Sequence, residues 1–184
     1  MITRLNNNSI TSITALPSGI TSLPSSITSA TGLDLNAPYF SACNNTPQGI
    51  ANATNSQIDF QQKKYDSHNA YNNTSSSATL NGFSVDRYSW GPPVAGKYLI
   101  GATIYFQTVA DTSSIEMKIR KNNGDIMRDM LHSATSKDLA LHSTTITDAN
   151  GTSDDFQIYV YMTGGGDNTY YGLPYMEFYG YKIG

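Results

Sequence analysis

Cysteine is almost missing from this sequence. Cys43 stands alone among 184 residues, which excludes an internal disulfide and a cysteine-built metal cluster. Stability therefore has to come from ordinary burial, shared between subunits if one chain cannot supply enough of it. Charge is also sparse: Asp, Glu, Lys and Arg make up 14% of the chain, the formal net charge is −3, and the pI is about 5.4. Such a chain has no basic face with which to displace the counterions of a polynucleotide, so no nucleic-acid partner is expected. No uninterrupted apolar run reaches the length of about eighteen residues that a membrane-spanning helix needs, and no membrane insertion is expected. No charged stretch followed by an apolar one opens the chain, so a secretory signal is not expected either. Glu, Lys, Arg and Leu, the residues that make helices, are scarce.

Recognisable catalytic spacing is lacking as well. His68, His132 and His142 do not form a His-Glu-x-x-His pair. There is no Gly-x-Ser-x-Gly elbow and no phosphate-cradling Gly-Lys-Ser loop. Cys43 as a nucleophile would need a histidine in reach; its plain reading is a small buried side chain. The expectation is a protein that is not an enzyme and has no cofactor. Asp148, Asp154, Asp155 and Asp167 fit either solvated loop carboxylates or oxygen ligands gathered for calcium at one end of a sandwich, without the spacing of an EF-hand.

What is abundant is Asn, Ser, Thr, Gly and Tyr. Thr, Tyr, Ile and Val favour pleated, half-buried surfaces, while Asn, Gly and Ser favour turns. From Pro38 onward the pattern has a period of two. Tyr98, Ile100, Ala102, Ile104 and Phe106 share one face of a strand, with Lys97, Thr103 and Gln107 opposite. Ile115, Met117 and Ile119 alternate with Glu116, Lys118 and Arg120. Phe156, Ile158, Val160 and Met162 alternate with Gln157, Tyr159 and Tyr161, and Gly164-Gly165-Gly166-Asp167 ends that strand. Asn122-Asn123-Gly124-Asp125 reads as a tight turn, with Asn-Gly suited to positive φ. A last strand is expected from about Tyr175 to Ile183. Residues 128–141 fit a helix or a strand with a loop. Tyr98, Ile100, Ile104, Phe106, Ile158, Val160 and Phe178 are the expected core.

Residues 1–36 differ from the rest. They hold no Tyr, Phe or Trp and repeat Ile13-Thr-Ala-Leu-Pro17 as Ile20-Thr-Ser-Leu-Pro24. Ile13, Ile20 and Ile27 are evenly spaced, but Pro17 and Pro24 oppose a coiled coil because each would break a helical hydrogen bond. The reading is an extended arm with apolar pegs at Ile13, Leu16, Ile20, Leu23 and Ile27, against the alternative of a disordered Ser/Thr linker.

The order of features after the arm resembles the tumour necrosis factor/complement C1q superfamily. Pro38-Tyr-Phe-Ser-Ala42 is similar to that family's opening strand. Ile58-Asp-Phe60 followed by Tyr65-Asp66 is similar to its next strand and a Tyr-Asp loop. Val94-Ala-Gly96-Lys-Tyr98-Leu-Ile100 is similar to its central signature, and Lys121-Asn-Asn-Gly124 to its Lys-Asn-Gly hairpin. Asp154-Asp155-Phe-Gln-Ile158 resembles its Gly-Asp-x-Val strand, and Phe178-Tyr-Gly180-Tyr its closing strand. The resemblance implies an all-β, C1q/TNF-like jelly-roll sandwich of about ten antiparallel strands over residues 37–184, assembled as a homotrimer, with calcium near the three-fold axis in some members.

An arm of Asn-Asn-Ser-Ile-Thr and Ala-Leu-Pro units followed by such a knob resembles bacteriophage virion proteins. The implied role is a structural knob on the particle surface, as a capsid decoration or a head or tail fibre, held to other virion proteins by residues 1–36. The alternative is a carbohydrate- or receptor-binding module for host attachment. Tyrosines crowd the last third of the chain: Tyr159, Tyr161, Tyr170, Tyr171, Tyr175, Tyr179 and Tyr181. They fit a subunit interface, the sandwich core, or a surface for stacking host glycans. Tyr159, Tyr161, Tyr179 and Tyr181 are the candidate trimer interface.

Overall fold

The computed structural model describes residues 37–183, less 111, 112, 134, 136, 166, 171, 173 and 174. The arm and its pegs Ile13, Leu16, Ile20, Leu23 and Ile27 lie outside the described residues. Among the described residues every regular element is a strand.

The first eight elements are short: β1 (Tyr39–Cys43), β2 (Gly49–Ile50), β3 (Asn55–Gln57), β4 (Gln62–Asp66), β5 (Tyr71–Asn72), β6 (Ala78–Leu80), β7 (Phe83–Val85) and β8 (Ser89–Trp90). The next five are longer and carry most of the pairing: β9 (Gly96–Val109), β10 (Ser114–Lys121), β11 (Gly124–His132), β12 (Lys137–Ala149) and β13 (Phe156–Thr163). β14 (Asp167–Thr169) and β15 (Glu177–Lys182) complete the chain. The larger sheet has seven strands, with β9 flanked by β12 on one edge and by β15 and β14 on the other, and continues from β15 to β1 and β4. The smaller sheet has six, built on β11, β10 and β13 with β3, β8 and β5 at its margin. All strand pairs are antiparallel.

The period-two readings give the inner faces. Tyr98, Ile100, Ala102, Ile104 and Phe106 on β9 are fully buried, as are Ile115 and Ile119 on β10 and Phe156, Ile158 and Val160 on β13. Between the sheets Phe40 stacks on Tyr71 at 5.1 Å and on Trp90 at 4.5 Å, and meets Phe178 edge-on at 4.7 Å. Such stacked and edge-on pairs add to simple area burial. Gly180 is part of this packing. A Cβ there would come within 2.6 Å of the Trp90 ring and 3.0 Å of Phe40 and Ile100.

Several local readings are decided or corrected. Among the described residues, the stretch 128–141 is the end of β11 and the start of β12, which is the strand-with-loop alternative. The few good helix formers there alternate in exposure along an outer strand, and long-range pairing overrides their propensity. Ile58-Asp-Phe60 lies beyond the end of β3 rather than in a strand, although Ile58 and Phe60 are fully buried. Ile58 N–H donates to Ile158 C=O at 2.9 Å, and Gln48 Oε1 accepts from Asp59 N–H at 2.8 Å, so side chain and backbone replace a continuing ladder. Tyr65 and Asp66 end β4 instead of lying in a loop. In the β10–β11 turn the positive φ values fall on Asn122 (50°) and Asn123 (65°), and Gly124 is already the strand residue opposite Lys121. Asparagine tolerates the left-handed region well enough to fill both turn positions.

Candidate functional site on the outer sheet faces

The inner faces explain the fold, so any functional surface has to be sought on the outer ones. Strand register places the outer residues of the larger sheet in rows. One row runs Tyr39–Tyr181–Leu99–Ile146 across β1, β15, β9 and β12. The next runs Tyr65–Ser41–Tyr179–Gly101–Thr144, starting from β4. Gly101 is what allows this second row. The Tyr179 ring lies over it so closely that a Cβ at Gly101 would come within 2.5 Å of the phenol carbon and 2.9 Å of the Thr144 methyl.

The third row is polar. Glu177, Thr103 and His142 are in register. Glu177 accepts a hydrogen bond from Ser41 Oγ at 2.8 Å, and Thr103 Oγ1 lies 2.8 Å from His142 Nδ1. Beyond it, Tyr105 meets Tyr170 and Tyr175 edge-on at 5.7 and 5.5 Å, and these two stack at 5.1 Å. Tyr170 donates to the Asp138 carboxylate at 2.6 Å, which pushes its phenol above the usual range. Tyr179 is also pushed up, by burial first and then by the neighbouring Glu177 carboxylate. Both phenols therefore stay neutral donors well above physiological pH.

Eight large hydrophobic side chains are exposed among the described residues. Six of them belong to this one face or its rim: Tyr39, Tyr65, Ile146, Tyr175, Tyr181 and Ile183. Ile146 is 61% and Tyr65 65% exposed. Tyr39, Tyr65, Tyr181 and Ile146 lie in the first two rows, which cross five strands, whereas Tyr175 lies beyond the polar row. Exposed apolar side chains gathered on one face are more informative about interaction than scattered ones.

The outer face of the smaller sheet is of another kind. Glu116, Lys118 and Arg120 of β10 face Tyr161, Tyr159 and Gln157 of β13 in register. Lys118 pairs with Glu116 at 3.1 Å, donates to Asn55 at 2.8 Å, and lies 5.4 Å from the centre of the Tyr161 ring. Arg120 stacks 4.0 Å over Tyr159 and pairs with Asp125 at 2.6 Å. Arg128 closes the ladder on Asp125 at 2.6 Å and Glu116 at 3.4 Å. Burial alone would raise the Asp125 carboxyl, but the two guanidinium groups outweigh it and hold it below its ordinary value.

The four candidate interface tyrosines are thus split. Tyr179 and Tyr181 lie in adjacent rows of the larger sheet. Tyr159 and Tyr161 lie on the outer face of the smaller sheet, covered by Arg120 and Lys118. Sequence reasoning missed Tyr39, Tyr65, Leu99 and Ile146. They are spread over four strands, and only the register of β1, β4, β9 and β12 brings them together. Of the acidic residues considered for calcium, Asp148 pairs with Lys97 at 3.0 Å, Asp154 with Lys121 at 2.9 Å, and Asp155 accepts from the Asp86 N–H at 2.9 Å. Among the described residues no cluster of three metal-ligating side chains forms.

With this geometry in view, the solved structures similar to the chain can be placed. Eiger TNF from S. frugiperda superposes with a TM-score of 0.57 at 12% identity, covering 80% of this chain and 92% of that one. Murine APRIL gives 0.54 at 8% identity over 80% and 99%. The globular domain of zebrafish complement 1qA gives 0.51 at 12% identity over 80% and 97%. The fold is a TNF/C1q-like jelly roll. At these identities the likeness concerns the fold alone. No protein-family model and no curated protein matches the sequence.

Proposed function

We propose that the protein is a non-enzymatic structural component of a bacteriophage particle, a trimeric jelly-roll knob displayed on the virion surface and attached by its N-terminal arm. The observation that carries the trimer is the apolar outer face of the larger sheet. Six of the exposed large hydrophobic side chains gather there, while the opposite outer face satisfies its own charges. Fully covering one such side chain is worth about 1.5–3 kcal/mol, and partial cover of all six would offset part of the entropy lost on association. The occupant is a pair of further copies of the same chain. A trimer is what the TNF/C1q resemblance implies, and a closed three-fold ring hides the patch where an open array would leave it for aggregation.

The phage setting rests on the sequence of residues 1–36. The arm holds Ile and Leu at regular intervals with prolines that forbid a helix, a design suited to docking in grooves of a neighbouring protein. An arm without a core of its own cannot offset its ordering entropy alone. Three arms held by one trimer would bind a particle with the avidity of linked sites. Residues 1–36 are therefore the anchor, through Ile13, Leu16, Ile20, Leu23 and Ile27, and residues 37–184 the knob.

The test is deletion of residues 1–36. The shortened protein should melt within a few degrees of the full chain, keep its oligomeric mass, and no longer appear on particles imaged by electron cryo-microscopy. Normal occupancy on the particles would refute the anchoring role, and a chain that no longer folds would refute the division at residue 36.

A further inference from the structure

The smaller sheet has one feature that its charge ladder does not explain. The excursion from β5 to β8, which includes the β6–β7 hairpin, folds back over the outer face of β13 and leaves a polar cleft of about 290 Å³. Gln157 and Tyr159 of β13, Gln57 of β3, and Asp86 and Arg87 of the turn before β8 line it. Ser75, Ser76 and Ser77 line its rim.

The groups around this cleft are fixed in advance. Gln157 Nε2 donates to Asp86 Oδ2 at 3.0 Å, and Ser77 Oγ to Asp86 Oδ1 at 3.1 Å. Gln57 and Arg87 clasp each other: Gln57 Nε2 donates to the Arg87 carbonyl at 2.6 Å and Arg87 Nε to Gln57 Oε1 at 2.9 Å. Arg120 steadies the Tyr159 ring. One buried acceptor is left over. Gln157 is only 1% exposed, yet its Oε1 has no hydrogen-bond partner among the described residues. Its orientation is set by chemistry, because flipping the amide would turn Oε1 onto the Asp86 carboxylate. A buried carbonyl left unpaired costs free energy, which a donor from the cleft would recover once the side chains that cover Oε1 shift to admit it.

We propose that this cleft binds a neutral saccharide unit. The lining offers one carboxylate and one guanidinium, so it favours neither a phosphate nor a cation. It offers no apolar chamber for a lipid chain. What it presents is a carboxylate with lone pairs remaining, the outer nitrogens of Arg87 as donors and serine hydroxyls that act as either, with Gln157 Oε1 as a covered, unmet acceptor. A sugar hydroxyl donates and accepts at once, and such a ring of mixed partners suits several hydroxyls in a fixed arrangement. Tyr159, its ring held under Arg120, adds apolar surface at the lining of the cleft. The volume lies at the lower end of the range of about 300–1,000 Å³ typical of ligand cavities, enough for one unit of a longer glycan.

The site is tested on the purified full-length chain, so its outcome does not depend on where the protein sits. Galactose, glucose, N-acetylglucosamine, rhamnose and short neutral oligosaccharides would be titrated by calorimetry and by backbone amide NMR, with sialic acid and inorganic phosphate as anionic probes. The expected result is saturable binding of at least one neutral sugar with a Kd of about 0.1–10 mM, shifting amides of residues 75–77, 86–87 and 157–159. Gln157→Leu, which removes the unmet acceptor, and Ser76→Leu, which fills the rim at an exposed position, should each weaken it at least about tenfold. If Gln157→Leu does not fold, Ser76→Leu decides the matter alone. Failure of every neutral sugar to bind, binding of the anions only, or neutral-sugar binding left unchanged by Ser76→Leu would each overturn the proposal.

Discussion

The larger sheet turns tyrosine and isoleucine to the outside where the smaller sheet turns lysine, arginine and glutamate. The inner faces of both sheets contribute to one core, and both sheets use tyrosine freely on the outside. The difference is what surrounds each ring. Tyr159 and Tyr161 lie under cations that are themselves paired with Asp125 and Glu116. Tyr39 and Tyr181 face each other at about half exposure, with Leu99 and Ile146 as row neighbours. One face pairs its charges within the chain, and the other leaves its apolar side chains uncovered. The identity of a residue therefore says less about its role than the row in which the register sets it.

The sharpest way to break this comparison is to charge one face at a time. Tyr181→Lys combined with Ile146→Lys should convert the assembly, expected at about three times the 20.0 kDa chain mass, into monomer on light scattering. Tyr161→Lys on the smaller sheet should leave the mass unchanged. If the smaller-sheet substitution dissociates the protein and the larger-sheet pair does not, the two faces have been assigned the wrong way round.

Much of the inner architecture was legible before any coordinates. The period-two runs at 98–106, 115–119 and 156–162 gave strands, phase and core, because one buried face per strand forces alternation. The outer face of the larger sheet was only partly legible. Tyr179 and Tyr181 stood out by composition, but Tyr39, Tyr65, Leu99 and Ile146 are scattered over more than a hundred residues of sequence. No local signal announces such a row, because it arises from non-local pairing. The cleft was illegible for the same reason, since the serines at 75–77 and Gln157 meet only when the hairpin excursion folds over β13. Residues 128–141, which fit either a helix or a strand with a loop, could not be decided locally, because intrinsic propensity is weak beside the pairing of β11 with β10 and of β12 with β9.

The next test asks whether the two inner faces are as alike as they look. Phe178 on the larger sheet and Phe156 on the smaller are both fully buried. Truncating either to Ala should cost about 3–5 kcal/mol in urea unfolding. A loss below about 1 kcal/mol at one site would mean that its sheet is not part of a shared core.

A finer contrast comes from two glycines of neighbouring strands. Gly180 faces inward against Trp90, which is buried and walled by Phe40, Tyr98 and Phe156. Gly101 faces outward under the free end of Tyr179. Gly180→Ala must displace a fixed ring and should cost the upper part of the overpacking range, about 3 kcal/mol. Gly101→Ala only swings a half-exposed phenol aside and should cost about 1 kcal/mol in an isolated chain. In the assembled protein it would also roughen the interface, so its cost should grow with protein concentration. Equal costs that do not vary with concentration would place Tyr179 in rigid packing rather than at a surface awaiting a partner.

The smallest expected effect is in acid, and it separates the ion-paired region of the smaller sheet from the rest. Asp125 and Asp154 both sit below the ordinary carboxyl value of 3.8. For Asp154, as for Asp125, burial opposes the shift. Hydrogen bonds from Lys121, Asn122 and the Asn150 N–H outweigh it. A group depressed in the folded state contributes stability that is complete above its unfolded value and is lost as the pH falls through the folded one. Asp155 and Asp59 are raised, by burial first in each case. The folded state therefore takes up their protons earlier than the unfolded chain, and stability rises as the pH falls toward 3.8 from above. The two pairs act in successive windows. Melting temperature against pH should pass through a shallow maximum near the ordinary carboxyl value of 3.8 and then drop. Asp155→Asn keeps an oxygen to accept from the Asp86 N–H and should flatten the upper limb alone. Asp125→Asn removes the ion pairs to Arg120 and Arg128 and should flatten the lower limb while reducing stability at neutral pH. A profile whose lower limb is indifferent to Asp125→Asn would mean that the charge ladder does not hold the smaller sheet's outer face together, and with it would go the reason for treating that face as complete within one chain.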